Sequence, residues 1–281
     1  MSIVTFCGTG KEQSGKTVAI AAIATYMAIA HNKRILIVAT GYKDPCMDNC
    51  FFENKKIKRN LGLFGPNNNI AMEEGISGLS RIMKSNKLSP EIITNYTKIV
   101  LKDRLEVLQT FKGGRGEYEE IKRLYPDIIS LANNYYDLVL VDLDCELDEN
   151  IKDSILNNSS LVIATLTQRI KSLDDFMKLR NEKKVLNTSK TLILIGRYDK
   201  YSKYNIKNIS RYMHEKNNVI TIPYNTLFFE ACEESGVVDL FLRVRTIGKD
   251  SDDRNNFFMS EVSRTVDAIM YRLEGLKQTN I

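Results

Sequence analysis

Residues 1–17 read MSIVTFCGTGKEQSGKT, and within them residues 10–17, GKEQSGKT, decide how the rest of the chain is read. They fit the phosphate-loop pattern G-x-x-x-x-G-K-[ST] at every fixed position. The context fits as well. Residues 3–7 form a short apolar run expected to be a buried strand, and residues 17–31 form an apolar, Ala-rich run expected to be a helix. A loop between such elements must turn sharply and aim backbone N–H groups at an anion. Gly10 and Gly15 allow the close approach, and the helix N-terminus adds its partial positive charge. Lys16 is expected to reach the β- and γ-phosphates of a nucleotide and Thr17 to hold Mg²⁺ through its hydroxyl. The nucleotide-binding stretch is therefore Gly10, Lys11, Glu12, Gln13, Ser14, Gly15, Lys16, Thr17 and Val18. Lys11 is the odd member: a second lysine directly after the first glycine. It points toward the mouth of the site, or it is a solvated surface lysine.

Working outward, apolar runs alternate with helical patterns along all 281 residues. Strands are expected at residues 34–39, 104–110, 137–142, 161–166, 191–195 and 219–222. Helices are expected at 76–84, 90–100, 117–134, 172–186, 206–214, 228–234 and 259–276. Runs of Val, Ile and Leu divided by helices are the pattern of strands buried on both faces of a mostly parallel sheet. The fold expected is α/β: a doubly wound, mostly parallel sheet flanked by helices, as in a P-loop NTPase, with residues 1–281 as a single domain. The least regular stretch, residues 41–75 with FGPNNN in its middle, reads as a surface loop, and one that can face a partner.

Composition excludes little but narrows the setting. Hydrophobic residues make up 43% and charged residues 27%, with a net charge of +5. The mild basicity permits a nucleic-acid or anionic-membrane partner without requiring one. No apolar run reaches the roughly 20 residues that span a bilayer, and the first strand is too short for a signal segment. A cytoplasmic protein is expected, with no transmembrane segment. The five cysteines are scattered. Cys46 and Cys50 are close enough to suggest metal or redox chemistry, but with only two histidines in the chain a zinc site is disfavoured.

The order G-K-x-x-x-G-K-T followed by an Ala-rich helix resembles the MinD/ParA family, the deviant Walker A group of SIMIBI-class ATPases. Further segments share the resemblance. Residues 75–83 (GISGLSRIM), followed by RLEVLQTF, resemble its helix-then-strand segment. Residues 136–144 (YDLVLVDLD) resemble its Walker B strand, and residues 219–225 (VITIPYN) its last core strand and the Pro-containing turn that packs adenine. The resemblance implies ATP and Mg²⁺ as ligands, a nucleotide-switched homodimer, and Lys11 reaching across the interface to the partner's nucleotide. It makes Lys11, Lys16 and Asp142 the catalytic set, with Asp142 holding Mg²⁺ through water beside Thr17. Pro223, and Arg197 or its neighbour Gly196, fall at the adenine positions. Within the family the VDLD ending and the KEQSGKT loop are most similar to TadZ/CpaE-type proteins. These position a pilus machine at a cell pole, so protein partners of a pilus or secretion-type machine and a polar or membrane-proximal place are implied.

The chain also departs from the family pattern. Glu12 and Gln13 stand where two glycines are usual, placing a negative charge near the phosphates that Lys11 partly neutralises. The family's two switch aspartates after the second strand fall on Ala39 and Gly41, neither of which can orient water. Asp44 or Asp48 reaching back from the loop, and Asp144 beside Asp142, are the replacement candidates; a solvated strand-end role for Asp144 stays open. Nucleotide binding with slow or absent hydrolysis is the expectation. Two alternatives remain. One is a DNA-partition or conjugation ATPase of ParA type binding nonspecific DNA, because residues 169–216 hold thirteen Lys and Arg against five Asp and Glu, with tyrosines between them. The other is a non-hydrolysing, nucleotide-bound scaffold. The apolar stripe of the last helix, Val262, Val266, Ile269, Met270, Leu273 and Leu276, is expected to pack on the sheet rather than on a membrane.

Overall fold

The computed structural model describes residues 1–10, 12–53, 75–83, 89–244 and 253–279. Lys11, most of the predicted 41–75 loop and its FGPNNN segment, and residue 84 at the end of the predicted 76–84 helix lie outside them.

Eight strands form one sheet: β1 (Ser2–Cys7), β2 (Ile35–Ala39), β3 (Thr97–Leu101), β4 (Leu105–Leu108), β5 (Leu138–Asp142), β6 (Leu161–Leu166), β7 (Thr191–Tyr198) and β8 (Val219–Pro223). Their order is β3-β4-β2-β5-β1-β6-β7-β8. Every neighbouring pair is parallel except β3–β4, an antiparallel edge. Alternation along the strands explains the continuous apolar runs. On β1, Val4 and Phe6 enter one core and Ile3 and Cys7 the other; on β2, Ile35 and Ile37 oppose Leu36 and Val38. Both faces are buried, so neither needs polar side chains.

The first helix, α1 (Lys16–Ala30), is apolar on all sides because it is enclosed on all sides. It lies between the sheet and the C-terminal helix Arg254–Thr279, and Tyr26 Oη donates to Ser263 Oγ at 2.7 Å across that contact. The last helix buries Val262, Val266, Ile269 and Leu273, and Thr265 donates to the Thr221 carbonyl on β8 at 2.9 Å. Its apolar stripe is thus taken up by the sheet and α1.

Three predicted helices differ, the 172–186 helix running Ile170–Glu182 before a 3-10 turn at Lys184–Asn187. Residues 90–100 are one 3-10 stretch, Pro90–Asn95, followed by β3. Cross-strand pairing with β4 claims Thr97, Lys98, Ile99 and Leu101, and pairing outweighs local helical periodicity there. The predicted 117–134 helix starts earlier, at Arg115, and breaks at Lys122–Leu124 before resuming as Tyr125–Asn133. Pro126 has no N–H to continue a helical ladder, so it sits in the first turn of a new helix. Helices Cys46–Phe51, Glu149–Asn158 and Val237–Val244 were not predicted. Among the described residues, no helix is long and apolar enough to cross a membrane.

The chain starts at the centre of the sheet, winds to one side through β2, β3 and β4, returns through β5, then crosses β1 to build β6, β7 and β8. The loop after β1 therefore opens between β5 and β6, where the winding reverses. In open α/β sheets this is where ligands bind.

Candidate nucleotide site

The β1–α1 loop ends on Gly15, which caps α1 in the left-handed region (φ 76°), a conformation glycine takes without steric cost. No side chain caps the helix, so its first N–H groups face the cleft. A second glycine sets the loop's height. A Cβ on Gly196 would lie 2.1 Å from the Ser14 carbonyl oxygen, so the loop rests directly on β7. One residue on, β7 bulges and Arg197 adopts φ 51°, which carries its side chain over the loop; a Cβ on Gly15 would meet Arg197 Cγ at 3.1 Å. Arg197 thus lies against the phosphate loop rather than reaching along the strand line.

Around this turn lies a cleft of about 690 Å³, within the usual range for small-ligand sites. It is lined by Gly10, Glu12, Gln13, Ser14, Gly15, Lys16, Thr17, Val18, Arg197 and Pro223. Gly8, Asp44, Asp144, Ile222 and Glu233 line it too, as do Cys46, Cys145, Tyr224, Asn225, Phe228 and Phe229, which the sequence reading did not point to as site residues. The signal was present for some of them. Asn225 ends the VITIPYN run and caps helix Thr226–Glu233, accepting from Phe228 N at 2.8 Å. Pro223, Phe228 and Phe229 line one side of the cleft as apolar surface, with the Phe228 ring anchored in the core against Phe258.

At the floor, Thr17 Oγ1 donates to Asp142 Oδ2 at 2.6 Å, and Lys16 Nζ lies 2.9 Å from Asp142 Oδ1 while donating to the Leu143 carbonyl. Burial opposes the charge on Lys16, but the Asp142 carboxylate more than offsets this and holds its pKa above the ordinary value. The Thr17 hydroxyl and Asp142 carboxylate are a pair of hard oxygen donors, side by side at the helix N-terminus. That donor set suits Mg²⁺.

The predicted acids distribute unevenly. Glu12 lines the cleft, but its carboxylate is drawn aside: it accepts from Thr167 Oγ1 at 3.2 Å and lies 3.6 Å from Arg169. Asp48 does not reach the site. It is buried elsewhere, accepting from Thr110 Oγ1 at 3.2 Å and pairing with Lys112 at 3.2 Å. Asp44 and Asp144 do reach it. They border a smaller cavity of about 110 Å³ together with Lys16, Thr17, Ala39, Gly41 and Asp142. Asp144 does so although β5 ends at Asp142. The basic segment is partly neutralised: Arg169, Arg180 and Lys183 pair with Glu12, Glu215 and the Glu149–Asp153 pair. Cys50 Sγ lies 3.2 Å from the Cys46 carbonyl oxygen, and all five cysteines are free.

No protein-family model and no curated protein matches the chain. Solved structures do. A ParA-family ATPase from Chlorobium tepidum aligns over 92% of this chain and 96% of its own, at TM-score 0.67 and 15% identity. The septum site-determining protein MinD of Pyrococcus horikoshii, solved with Mg-ADP, aligns over 96% and 97% at TM-score 0.63 and 16% identity. A plasmid partition protein of Borrelia burgdorferi, bound to AMPPNP, aligns over 96% and 99% at TM-score 0.62 and 14% identity. Identity this low speaks to architecture: the chain has the doubly wound, helix-flanked sheet of the MinD/ParA P-loop ATPases.

Proposed function

We propose that this protein is an ATP-binding, nucleotide-switched homodimer of the MinD/ParA type that turns over slowly. The observation that carries the reading is the floor of the cleft. Lys16, Thr17 and Asp142 converge within hydrogen-bond distance beneath an uncapped helix N-terminus. Beside an apolar wall of cleft size, this is a triphosphate cradle with a place for a base. In the bound state the backbone N–H groups of residues 13–18 hold the β-phosphate. Lys16 would leave Asp142 for the β- and γ-phosphates, Thr17 would hold Mg²⁺ directly and Asp142 would hold it through water. The metal supplies charge neutralisation at the phosphates. Pro223, Tyr224 and Phe229 line the adenine end, with Arg197 over the loop.

Dimerisation rests on the loop's resemblance and on the rim. Tyr224 and Phe229 line the cleft and remain 57% and 46% exposed, apolar surface that a second copy would cover. In that dimer Lys11 supplies a charge to the neighbour's nucleotide, so that binding and association are one equilibrium. The cellular role that best fits the loop's resemblance is positioning of a larger assembly, as TadZ-like proteins do for a pilus machine. DNA partition is the second reading, favoured by the Lys/Arg excess of residues 169–216. It ranks lower because Arg169, Arg180 and Lys183 spend their charge on local acids.

Sedimentation of the full chain in Mg-ATP and in Mg-ADP tests the reading. A dimer in ATP and a monomer in ADP is the expected result. Retention on nonspecific DNA that needs ATP and fades steeply with salt would move the role to the second reading.

A further inference from the structure

The end of β2 carries no acid: Ala39, Thr40 and Gly41 follow one another where a water-orienting carboxylate is expected. The space such a side chain would take is nevertheless filled with carboxylates. A Cβ on Gly41 would stand 3.3 Å from Asp144 Oδ2 and 3.2 Å from Asp44 Cβ. The two acids come from different elements, Asp144 from just past β5 and Asp44 from the loop after β2. They meet at the small cavity beside Lys16, Thr17 and Asp142. That cavity, about 110 Å³, exceeds the roughly 30 Å³ a water takes in the liquid, and it has polar partners on several sides.

The two acids are not held equally. Asp144 N donates to Thr40 Oγ1 at 2.8 Å, and Asp144 Oδ1 accepts from Glu146 N at 3.0 Å. Thr40 is fixed in turn: its hydroxyl donates to the Asp142 carbonyl at 3.1 Å, and its own carbonyl accepts from Tyr118 Oη at 2.6 Å. Thr40 is fully buried. This network sets Asp144 with Oδ2 toward Gly41 and the cavity. Asp44 is exposed and held by one bond, from Cys46 N to Oδ1 at 2.9 Å.

We propose that Asp144 is the catalytic carboxylate of this protein, orienting the attacking water from the end of β5 because Gly41 leaves that place free. The proposal rests on the nucleotide reading above. With a triphosphate on the loop, Lys16 and Thr17 would bring its γ-phosphate to the side of the cavity that Asp144 faces. Water in it donates to Asp144 Oδ2. The water oxygen bonds to the γ-phosphorus as the bond to the β,γ-bridging oxygen breaks. The electron pair of that bond stays on ADP, and the water's protons leave with inorganic phosphate and to solvent, Asp144 acting by orienting the water. Asp44 tunes the pocket from its rim and contributes less.

The test uses the full chain with Mg-ATP and a fluorescent, non-hydrolysable ATP analogue. Asp144→Asn keeps the acceptor for Glu146 N and the volume of the side chain. It is expected to lower phosphate release at least tenfold while analogue affinity stays within threefold. Asp44→Asn is expected to change release less than Asp144→Asn does. Should Asp144→Asn fail to fold, Asp144→Ser retains a turn acceptor and is judged by the same threshold. Analogue binding with no phosphate release by the unmodified chain would overturn the proposal. So would an Asp144→Asn chain releasing phosphate at more than a tenth of the normal rate. Failure of the unmodified chain to bind the analogue would instead overturn the nucleotide reading itself, and this proposal with it.

Discussion

The ends of two neighbouring strands, β1 and β2, present opposite cases. After β1 the residues expected for phosphate binding stand in order, and the structure brings Gly15, Lys16 and Thr17 against Asp142. After β2 the positions expected to carry acids hold Ala39 and Gly41, and on the proposal above a carboxylate just past β5, Asp144, takes that role. The contrast separates two functions that a phosphate loop combines. Holding a triphosphate needs backbone geometry, and backbone geometry ties the sequence to one spacing. Orienting water needs only an oxygen at the right place, which any nearby element can deliver.

The comparison breaks first at Lys16. Lys16→Ala removes the cation placed for the β- and γ-phosphates, and charge-assisted bonds of this kind contribute about 1.5–3 kcal/mol. ATP affinity is expected to fall roughly 10- to 100-fold. Because Asp142 then keeps a buried charge without its partner, thermal stability is expected to fall as well. Calorimetric titration and a melting curve read the two effects.

Gly196→Ala probes the loop's support. A Cβ 2.1 Å from the Ser14 carbonyl oxygen cannot be accommodated without lifting the loop from β7. A stability loss of about 1–3 kcal/mol is expected from the overpacking, with weakened nucleotide binding. Denaturant unfolding with and without ATP measures both. Equal affinity in Gly196→Ala would show that the loop does not depend on β7 for its height.

Lys11→Ala sharpens the distinction between binding and switching. It is expected to weaken ATP-dependent dimerisation several-fold while single-chain affinity for ADP changes little, since on the proposed reading the charge serves the neighbouring pocket. Concentration-dependent sedimentation in ATP and ADP checks this. An equal loss in both states would make Lys11 an ordinary member of its own loop.

The smallest effect at neutral pH belongs to Cys7, the last residue of β1. Burial pushes its thiol up to about 11 from 9.0, despite the opposing pull of Lys16. The sign follows from proton binding: the folded chain holds this proton more tightly than the unfolded one. Its stabilising contribution is complete below pH 9 and is lost as pH rises toward 11. Cys7→Ala is expected to flatten the fall in unfolding free energy over that window. An unchanged alkaline limb would assign the fall to other groups, such as Tyr125, which burial also holds well above its ordinary value.

The legible part of the sequence was the part in which local pattern and tertiary fate agree. Apolar runs such as LVIATL and TLILI became central strands because both faces of each are covered. The GKEQSGKT loop was legible because its geometry is local. Strand β3 was not, since Thr97–Leu101 is a strand only through β4. Asp44 and Asp144 were named as candidates, but their convergence was not legible. It depends on the Thr40–Gly41 turn after β2 meeting Tyr118 from a helix and Asp144 from the end of β5. Glu12 was read as facing the phosphates, and only the fold shows Arg169 and Thr167 drawing it aside.

The central claim is that the β1–α1 loop and Asp142 hold a magnesium triphosphate. Calorimetric titration of the purified full chain with ATP, in magnesium and then in excess chelator, tests it most directly. The account predicts saturable binding at one site per chain, weakened when magnesium is withdrawn. No saturable binding in either condition would contradict it.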